Sequence, residues 1–300
     1  MAHPPIYYPM RKWALHEKGG IINELDGSFC IVRIRIPAGI ITTKQMSGIC
    51  RIANKYEAGI HLTTRQTAEL IHVKPADLEK VVKALEKNGT PLGAEKHEIV
   101  NVTACPGTDR CKYAQMDSIS LALSLDEKHF GRDLPVKARI AISACPNSCV
   151  SERLNEIGIT GVVRPYRIPG TCTGCGTCVQ YCKEHAIVIR NGVIQLDDDA
   201  CVHCGMCITC CPFHIIKADP PAYHITVGGK RGRHPKLGKH FVTVKSPESV
   251  HLCVDKIIEW IYRRAWGDIL LPDQLDDIGF EKFRDDVVQS LPPEEIVTGY

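Results

Sequence analysis

Cys172, Cys175, Cys178 and Cys182 follow the spacing C-x2-C-x2-C-x3-C, and Cys201, Cys204, Cys207 and Cys211 repeat it with Pro212 next. Thiolates so spaced suit iron: three close cysteines hold three irons of a cubane, and the fourth of each run reaches across to the other cluster. The expected sets are Cys172, Cys175 and Cys178 with Cys211, and Cys201, Cys204 and Cys207 with Cys182, each around one [4Fe-4S] cluster. Zinc also takes C-x2-C, but it does not explain two identical four-part runs. Lys183 follows the first run where a proline is usual, which removes no ligand. Cys210 adjoins a ligand and is expected to be a bystander.

A second set lies earlier. Cys105-Pro-Gly-Thr-Asp-Arg-Cys111 and Cys145-Pro-Asn-Ser-Cys149 form a C-x5-C and a C-x3-C pair. Four thiolates from two loops can close a third cubane; by spacing alone a structural zinc site fits equally. Cations form another pattern. Strand alternation puts Arg33 with Arg35 on one face, and Lys137 with Arg139 on one face, with Val32, Ile34, Ile140 and Ile142 opposite. Two such strands can line a pocket for an anionic ligand, although paired cations on half-exposed strands often just face water.

On these motifs the chain resembles the sirohaem-dependent sulfite and nitrite reductases. The resembling stretches are Arg33-Ile-Arg-Ile-Pro-Ala-Gly-Ile-Ile-Thr-Thr-Lys44, Leu62-Thr-Thr-Arg-Gln-Thr67, Thr103-Ala-Cys-Pro-Gly107 with Cys111, Ser143-Ala-Cys-Pro-Asn-Ser-Cys149, and Val227-Gly-Gly-Lys-Arg-Gly232. The resemblance implies a sirohaem and three [4Fe-4S] clusters, with Cys149 bridging the third cluster to the sirohaem iron. It assigns substrate and cofactor carboxylates to Arg35, Arg65, Lys137 and Arg139, and cofactor contacts to Arg33, Thr64 and Arg65. Gly228 and Gly229 allow close backbone approach to a flat ligand, with Lys230, Arg231, Arg233 and His234 beside them as counter-charges. Val100 stands where the family commonly has an arginine, so turnover or substrate choice is expected to differ. The implied activity is six-electron reduction of sulfite to sulfide. Nitrite reduction to ammonia is the near alternative, and a non-catalytic electron-transfer or structural subunit the distant one.

The elements that must position these residues divide into stretches. Within the first ninety residues Phe29–Ile36 reads as a strand, and Thr43–Tyr56 as a helix burying Met46, Ile49, Cys50, Ala53 and Tyr56. Strands follow at Gly59–Thr64 and Ala68–Val73, then a helix from Pro75 to Gly89. A helix over Asp109–Leu125 and a strand over Lys137–Ser143 separate the cysteine loops. Ile225–Val227 reads as a strand, Ser246 and Pro247 open a helix with Val250, Val254, Ile257, Ile258 and Ile261 inside, and a shorter helix lies near Phe280–Leu291. The expected class is α+β: a ferredoxin-like α/β layer over 1–92, a sirohaem and [4Fe-4S] domain over 93–164 and 222–300, and an inserted bacterial-type 2[4Fe-4S] ferredoxin domain over 165–221.

Composition narrows the partners. In 300 residues, a net charge of +3 without a long basic run argues against nucleic acid. No stretch is long and uncharged enough to cross a bilayer. Met1 to Gly20 is broken by Pro4, Pro5, Pro9, Arg11 and Lys12, unlike a secretory leader. A cytoplasmic, reducing compartment is expected, in which 16 cysteines are ligands or thiols rather than disulfides; Cys30, Cys50 and Cys253 are expected in the core. No nucleotide fingerprint is present. Electrons are therefore expected from a partner, a ferredoxin or flavoprotein subunit. Larger family members carry two copies of this half, which implies a homodimer or pairing with a related subunit.

Overall fold

The computed structural model describes residues 19–170, 172–267 and 269–300; the leader reading, which rests on Pro4 through Lys12, lies outside them. In chain order the elements are β1 (Ile21–Asn23), β2 (Cys30–Arg33), α1 (Thr43–Lys55), β3 (Gly59–Leu62), β4 (Ala68–Val73), α2 (Leu78–Lys87), β5 (Ile99–Ala104), α3 (Ser118–His129), β6 (Ala138–Ser143) and β7 (Ile157–Val162). Then follow β8 (Pro165–Arg167), α4 (Thr177–Tyr181), β9 (Ile187–Arg190), β10 (Val193–Leu196), α5 (Met206–Cys210), β11 (Ile216–Ala218), β12 (Ala222–Val227), β13 (Lys239–Val244), α6 (Pro247–Arg264), α7 (Leu271–Ile278) and α8 (Phe280–Val288). Two compact units result. Of the described residues, one takes in those from 19 to 103, 122–140 and 258–277; the other takes in those of 104–121, 141–257 and 278–300.

The first unit contains an antiparallel sheet in the order β1-β2-β4-β3. Val32, Leu70, Ile49, Val81 and Leu85, drawn from two strands and two helices, share its core, each side chain contributing about 1.5–3 kcal/mol of burial. A capping box starts α1: Gln45 N–H donates to the Thr42 hydroxyl at 3.2 Å, and Thr42 N–H donates to the Gln45 side chain at 3.1 Å. The helix is turned from the expected face. Gly48, Ile49, Ile52 and Ala53 are buried, while Met46 and Cys50 are exposed. Gly48 is the cause, because a Cβ there would lie 1.7 Å from Asn88 Oδ1, and Asn88 Nδ2 donates to Gln45 O at 2.9 Å. That close approach swings Cys50 outward, so it is not a core thiol; Cys30 and Cys253 are buried as expected.

A five-stranded sheet has the order β13-β12-β7-β6-β5. β12 is antiparallel to β7 (Ala222↔Val162) and to β13 (Tyr223↔Val244), with a bulge between Ile225 and Thr226. α3 begins at Ser118, not at Asp109. Asp117 accepts Ser120 N–H at 3.0 Å and so caps the helix, leaving 105–117 as a loop built around Cys105 and Cys111. For α6, Ser246 Oγ accepts Ser249 N–H at 3.1 Å, and Val250, Val254, Ile257, Ile258 and Ile261 are all fully buried. β1, β13 and α7, and the short elements β8 to β11, α4 and α5 within 165–221, have no counterpart among the expected elements. Among the described residues no helix is long and apolar enough to cross a membrane.

Residues 165–221 hold two small antiparallel pairs, β8 with β11 and β9 with β10. Cys178, Ile187, Ile194, Cys207, Cys211, Ile215 and Ile216 form a core of their own. α4 and α5 are five residues each, and each follows a glycine in the left-handed region, Gly176 and Gly205.

Candidate functional site

The two cysteine runs line two cavities in crossed fashion. One, of about 270 Å³, is walled by Cys172, Cys175, Cys178 and Cys211; the other, of about 720 Å³, by Cys201, Cys204, Cys207 and Cys182, and both open partly to solvent. Three sulfurs of each set come from one run and the fourth from the other. Their charges feel each other in the same grouping. Burial pushes the Cys207 thiol up to about 12, helped by Cys204, Cys201, Cys210 and Cys182. Burial likewise raises Cys178, with Cys211 and Cys175 adding to it. Cys210 donates to Cys207 O at 3.6 Å. No group of three or more His, Cys, Asp or Glu among the described residues is drawn around one point as a single ion requires. The donor set and its spacing around cavities suit clusters.

The second cysteine set sits on two loops of the same unit. Cys105 and Cys145 are buried, Cys111 is half-buried and Cys149 is exposed. Ala144 N–H donates to Cys105 Sγ at 3.1 Å, and Cys105 N–H donates to Ile142 O at 3.0 Å, which stitches the first loop to the end of β6. Burial raises the Cys145 thiol; Asn147 opposes this, and Cys111 and Cys105 nearby add to it. Pro146 and Asn147 of the C-x3-C loop also line the larger cavity, and Gln115 Nε2 donates to Cys204 O at 3.0 Å. The two cysteine systems are therefore neighbours.

Arg33, Arg35 and Arg65 line one cleft of the first unit with Thr67, Val100 and Asn101. Each is tied to a carboxylate. Arg33 donates to Glu69 through Nε at 2.8 Å and Nη2 at 2.6 Å, an ion pair whose partners face each other across β2 and β4. Arg33 and Arg65 both reach Glu95 Oε2, and Lys137 Nζ donates to Glu95 Oε1 at 2.7 Å. Arg35 donates to buried Asp126 through Nε at 2.9 Å and lies 4.5 Å over the Phe130 ring. Burial pushes the Asp126 carboxyl up and Arg35 opposes it. At Glu69 burial also raises, but Arg33 and His61 outweigh it and the carboxyl is held low. Glu98 accepts Glu95 N–H at 3.0 Å and Lys96 N–H at 3.2 Å, which shapes the turn presenting Glu95. Buried Asn101 Oδ1, on a residue that lines the cleft, has no hydrogen-bond partner among the described residues.

Glu69, Glu95 and Asp126 were not among the sequence candidates. Glu69 was findable, because it breaks the apolar run of Ala68–Val73; the other two carry no local signal. Arg139 is half-buried beside Lys137 on alternating positions, and Thr64 is exposed in the turn between β3 and β4. Gly228 N–H donates to Glu156 O at 3.0 Å. A Cβ at Gly229 would lie 2.3 Å from Arg153 O and 2.4 Å from Asn155 O, so the close approach there is to the chain itself. Lys230 and Lys236 exchange backbone hydrogen bonds. Arg231 Nη2 donates to Val150 O at 3.3 Å, next to Cys149. Val100 is buried in the cleft wall.

Residues 95–294 match the family described as "Nitrite and sulphite reductase 4Fe-4S domain", and residues 22–88 match "Nitrite/Sulfite reductase ferredoxin-like half domain". The coenzyme F420-dependent sulfite reductase of Methanocaldococcus jannaschii is 33% identical over 92% of this chain and 45% of that protein. The chain thus spans about half the length of that relative. One subunit of the anaerobic sulfite reductase of Salmonella typhimurium is 27% identical over 89% of this chain and 86% of that protein. The crystal structure of dissimilatory sulfite reductase I shares the fold, with a TM-score of 0.71 at 19% identity over 90% of this chain and 71% of that one. With its cysteine loops inside the matched 4Fe-4S segment, the chain belongs to the nitrite and sulphite reductase family.

Proposed function

We propose that this chain carries out sirohaem-dependent six-electron reduction of sulfite to sulfide, fed by three [4Fe-4S] clusters. The carrying observation is the crossed lining of two cavities by eight cysteines beside a further set on two loops. Residues 165–221 act as an inserted ferredoxin module, supported by their separate core. Cys105, Cys111, Cys145 and Cys149 hold the third cluster. Cys149, the exposed member, is the thiolate free to face a second metal.

A sirohaem, when bound, supplies coordination of the anion and a path for electrons to it. The chain's cations bind and orient. Arg35, Arg65 and Arg139, with planar five-donor guanidinium forks, suit clamping of sulfite oxygens and cofactor carboxylates. Lys137 can give up a proton and is assigned as donor to departing oxygen. The set containing exposed Cys175 would hold a cluster within reach of a partner protein, and the set containing Cys204 one beside the Cys145 loop, whose Pro146 and Asn147 line that second cavity; each would supply one-electron transfer.

A second reading, a subunit that binds cofactors without turning over, draws on Val100 in the cleft wall and on Glu95 neutralising three cations. Anaerobic purification, pigment extraction and an iron count, followed by sulfite- and nitrite-dependent oxidation of a reduced viologen dye, decide between them. Sirohaem, about thirteen irons per chain (twelve in three cubanes and one in the sirohaem) and faster dye oxidation with sulfite are expected. Sirohaem without anion-dependent oxidation supports the second reading, and iron for two cubanes without sirohaem rejects both.

A further inference from the structure

Glu152 is a carboxylate with no exposed surface, and neither the cysteine sets nor the cation cleft uses it. Its Oε2 accepts Ser143 Oγ at 2.6 Å and Ser148 Oγ at 2.6 Å, and its Oε1 accepts Thr160 Oγ1 at 2.9 Å. Ser143 ends β6, two residues before Cys145. Ser148 lies between Cys145 and Cys149, and Thr160 is in β7. One side chain therefore ties the strand entering the C-x3-C loop, the loop itself and the strand leaving it.

The loop needs such a tie. Ser148 (φ 54°) and Ser151 (φ 52°) both occupy the left-handed region without being glycine, a conformation that persists only where the surroundings hold it. The backbone of Glu152 contributes as well: its carbonyl accepts Asn155 N–H at 3.0 Å and Asn155 Nδ2 at 3.3 Å. Burying a carboxylate opposes folding unless its hydrogen bonds are complete, and an apolar residue would fill the same volume more cheaply. A fully satisfied acid at this point fits a requirement for geometry at Cys145 and Cys149, since metal sites tolerate displacements of only about 0.5 Å.

We infer that Glu152 is the positioning residue of the C-x3-C loop, acting through Ser143, Ser148 and Thr160 to aim Cys145 and Cys149 at the third cluster. This rests on the proposed role of those cysteines as ligands. It predicts a defect confined to that cluster, which a plain loss of folding would not produce.

The test uses the full chain, anaerobically purified as wild type, Glu152→Gln, Glu152→Ala and Ser148→Ala. The glutamine side chain would keep three hydrogen bonds, because the hydroxyls can rotate to accept from its amide; Glu152→Ala removes all three, and Ser148→Ala removes the one to the loop itself. Iron release to a chelator and the electron paramagnetic resonance of the reduced clusters are followed. Glu152→Ala and Ser148→Ala are expected to lose third-cluster iron at least about tenfold faster, with an altered third-cluster signal. The two module clusters should be unchanged, and Glu152→Gln should restore retention. Wild-type release and spectrum in Ser148→Ala together with either Glu152 variant overturn the inference, as does equal loss from all clusters. Should Glu152→Ala not fold, Ser148→Ala and Glu152→Gln decide. A wild type that itself lacks the third cluster refutes instead the ligand assignment beneath it.

Discussion

Lys137 Nζ lies 2.7 Å from Glu95 Oε1, while the other oxygen of the same carboxylate takes both Arg33 and Arg65. One acid thus gathers three cations from positions 30 to 62 residues away in the chain. An incoming anion must compete with it. Glu95→Gln is expected to tighten sulfate binding about tenfold at low salt, equivalent to about 1.4 kcal/mol. Isothermal titration checks this, and unchanged or weaker binding would show that Glu95 organises the cations rather than shielding them.

Arg33 and Glu69 are a buried pair, 8% and 7% exposed. Removing one partner leaves a charge with little water to solvate it, so Glu69→Ala should lower stability by about 3 kcal/mol, with Glu95 retaining part of the pairing. Urea unfolding measures it. A loss below about 0.5 kcal/mol would place the pair among weak surface bridges.

The crossed cysteine sets make a prediction about double variants. Cys211→Ser and Cys175→Ser should each cost about four irons, and so should the two combined, because the proposed assignment puts both on one cluster. Cys211→Ser with Cys204→Ser should cost about eight. If the iron losses follow the sequence runs instead, so that Cys211 groups with Cys204, the crossing is wrong.

Cys149→Ser should abolish anion reduction and shift the sirohaem absorption while leaving the module's two clusters in place. Sulfite-dependent dye oxidation at the wild-type rate would contradict the bridging role.

His224 and His240 stack with ring centroids 4.2 Å apart, and Thr243 Oγ1 contacts both. Burial, then His240 and Arg153, push His224 down to about 4. The unfolded chain, with an ordinary histidine, binds the proton first as pH falls below about 6.5. Stability should therefore decline between about pH 6.5 and 4, by up to roughly 3 kcal/mol, and level off below. Denaturant midpoints from pH 7.5 to 4 test this. His224→Phe should flatten most of the slope; an equally steep slope in that variant would assign it elsewhere.

What the chain reveals locally, it reveals in the sequence. Ligand spacing in the cysteine runs is a matter of a few bonds, so the crossed grouping that lines the two cavities was readable there. Ser246 followed by an apolar row at helical period fixed α6 and its buried face in the same way. Contacts between distant segments were not readable. Asp126 meets Arg35 across 91 residues and Glu95 meets Lys137 across 42, so the predicted basic strands proved to be charge-matched only once the chain was folded. Met46 and Cys50 looked inward by period, yet Gly48 against Asn88 turned the helix the other way. Glu152 reads as an ordinary polar residue in a loop until folding closes Ser143, Ser148 and Thr160 around it. Periodicity and ligand spacing act through neighbouring bonds, whereas the partner of a buried charge is chosen by which segments pack together, and that choice belongs to the whole fold.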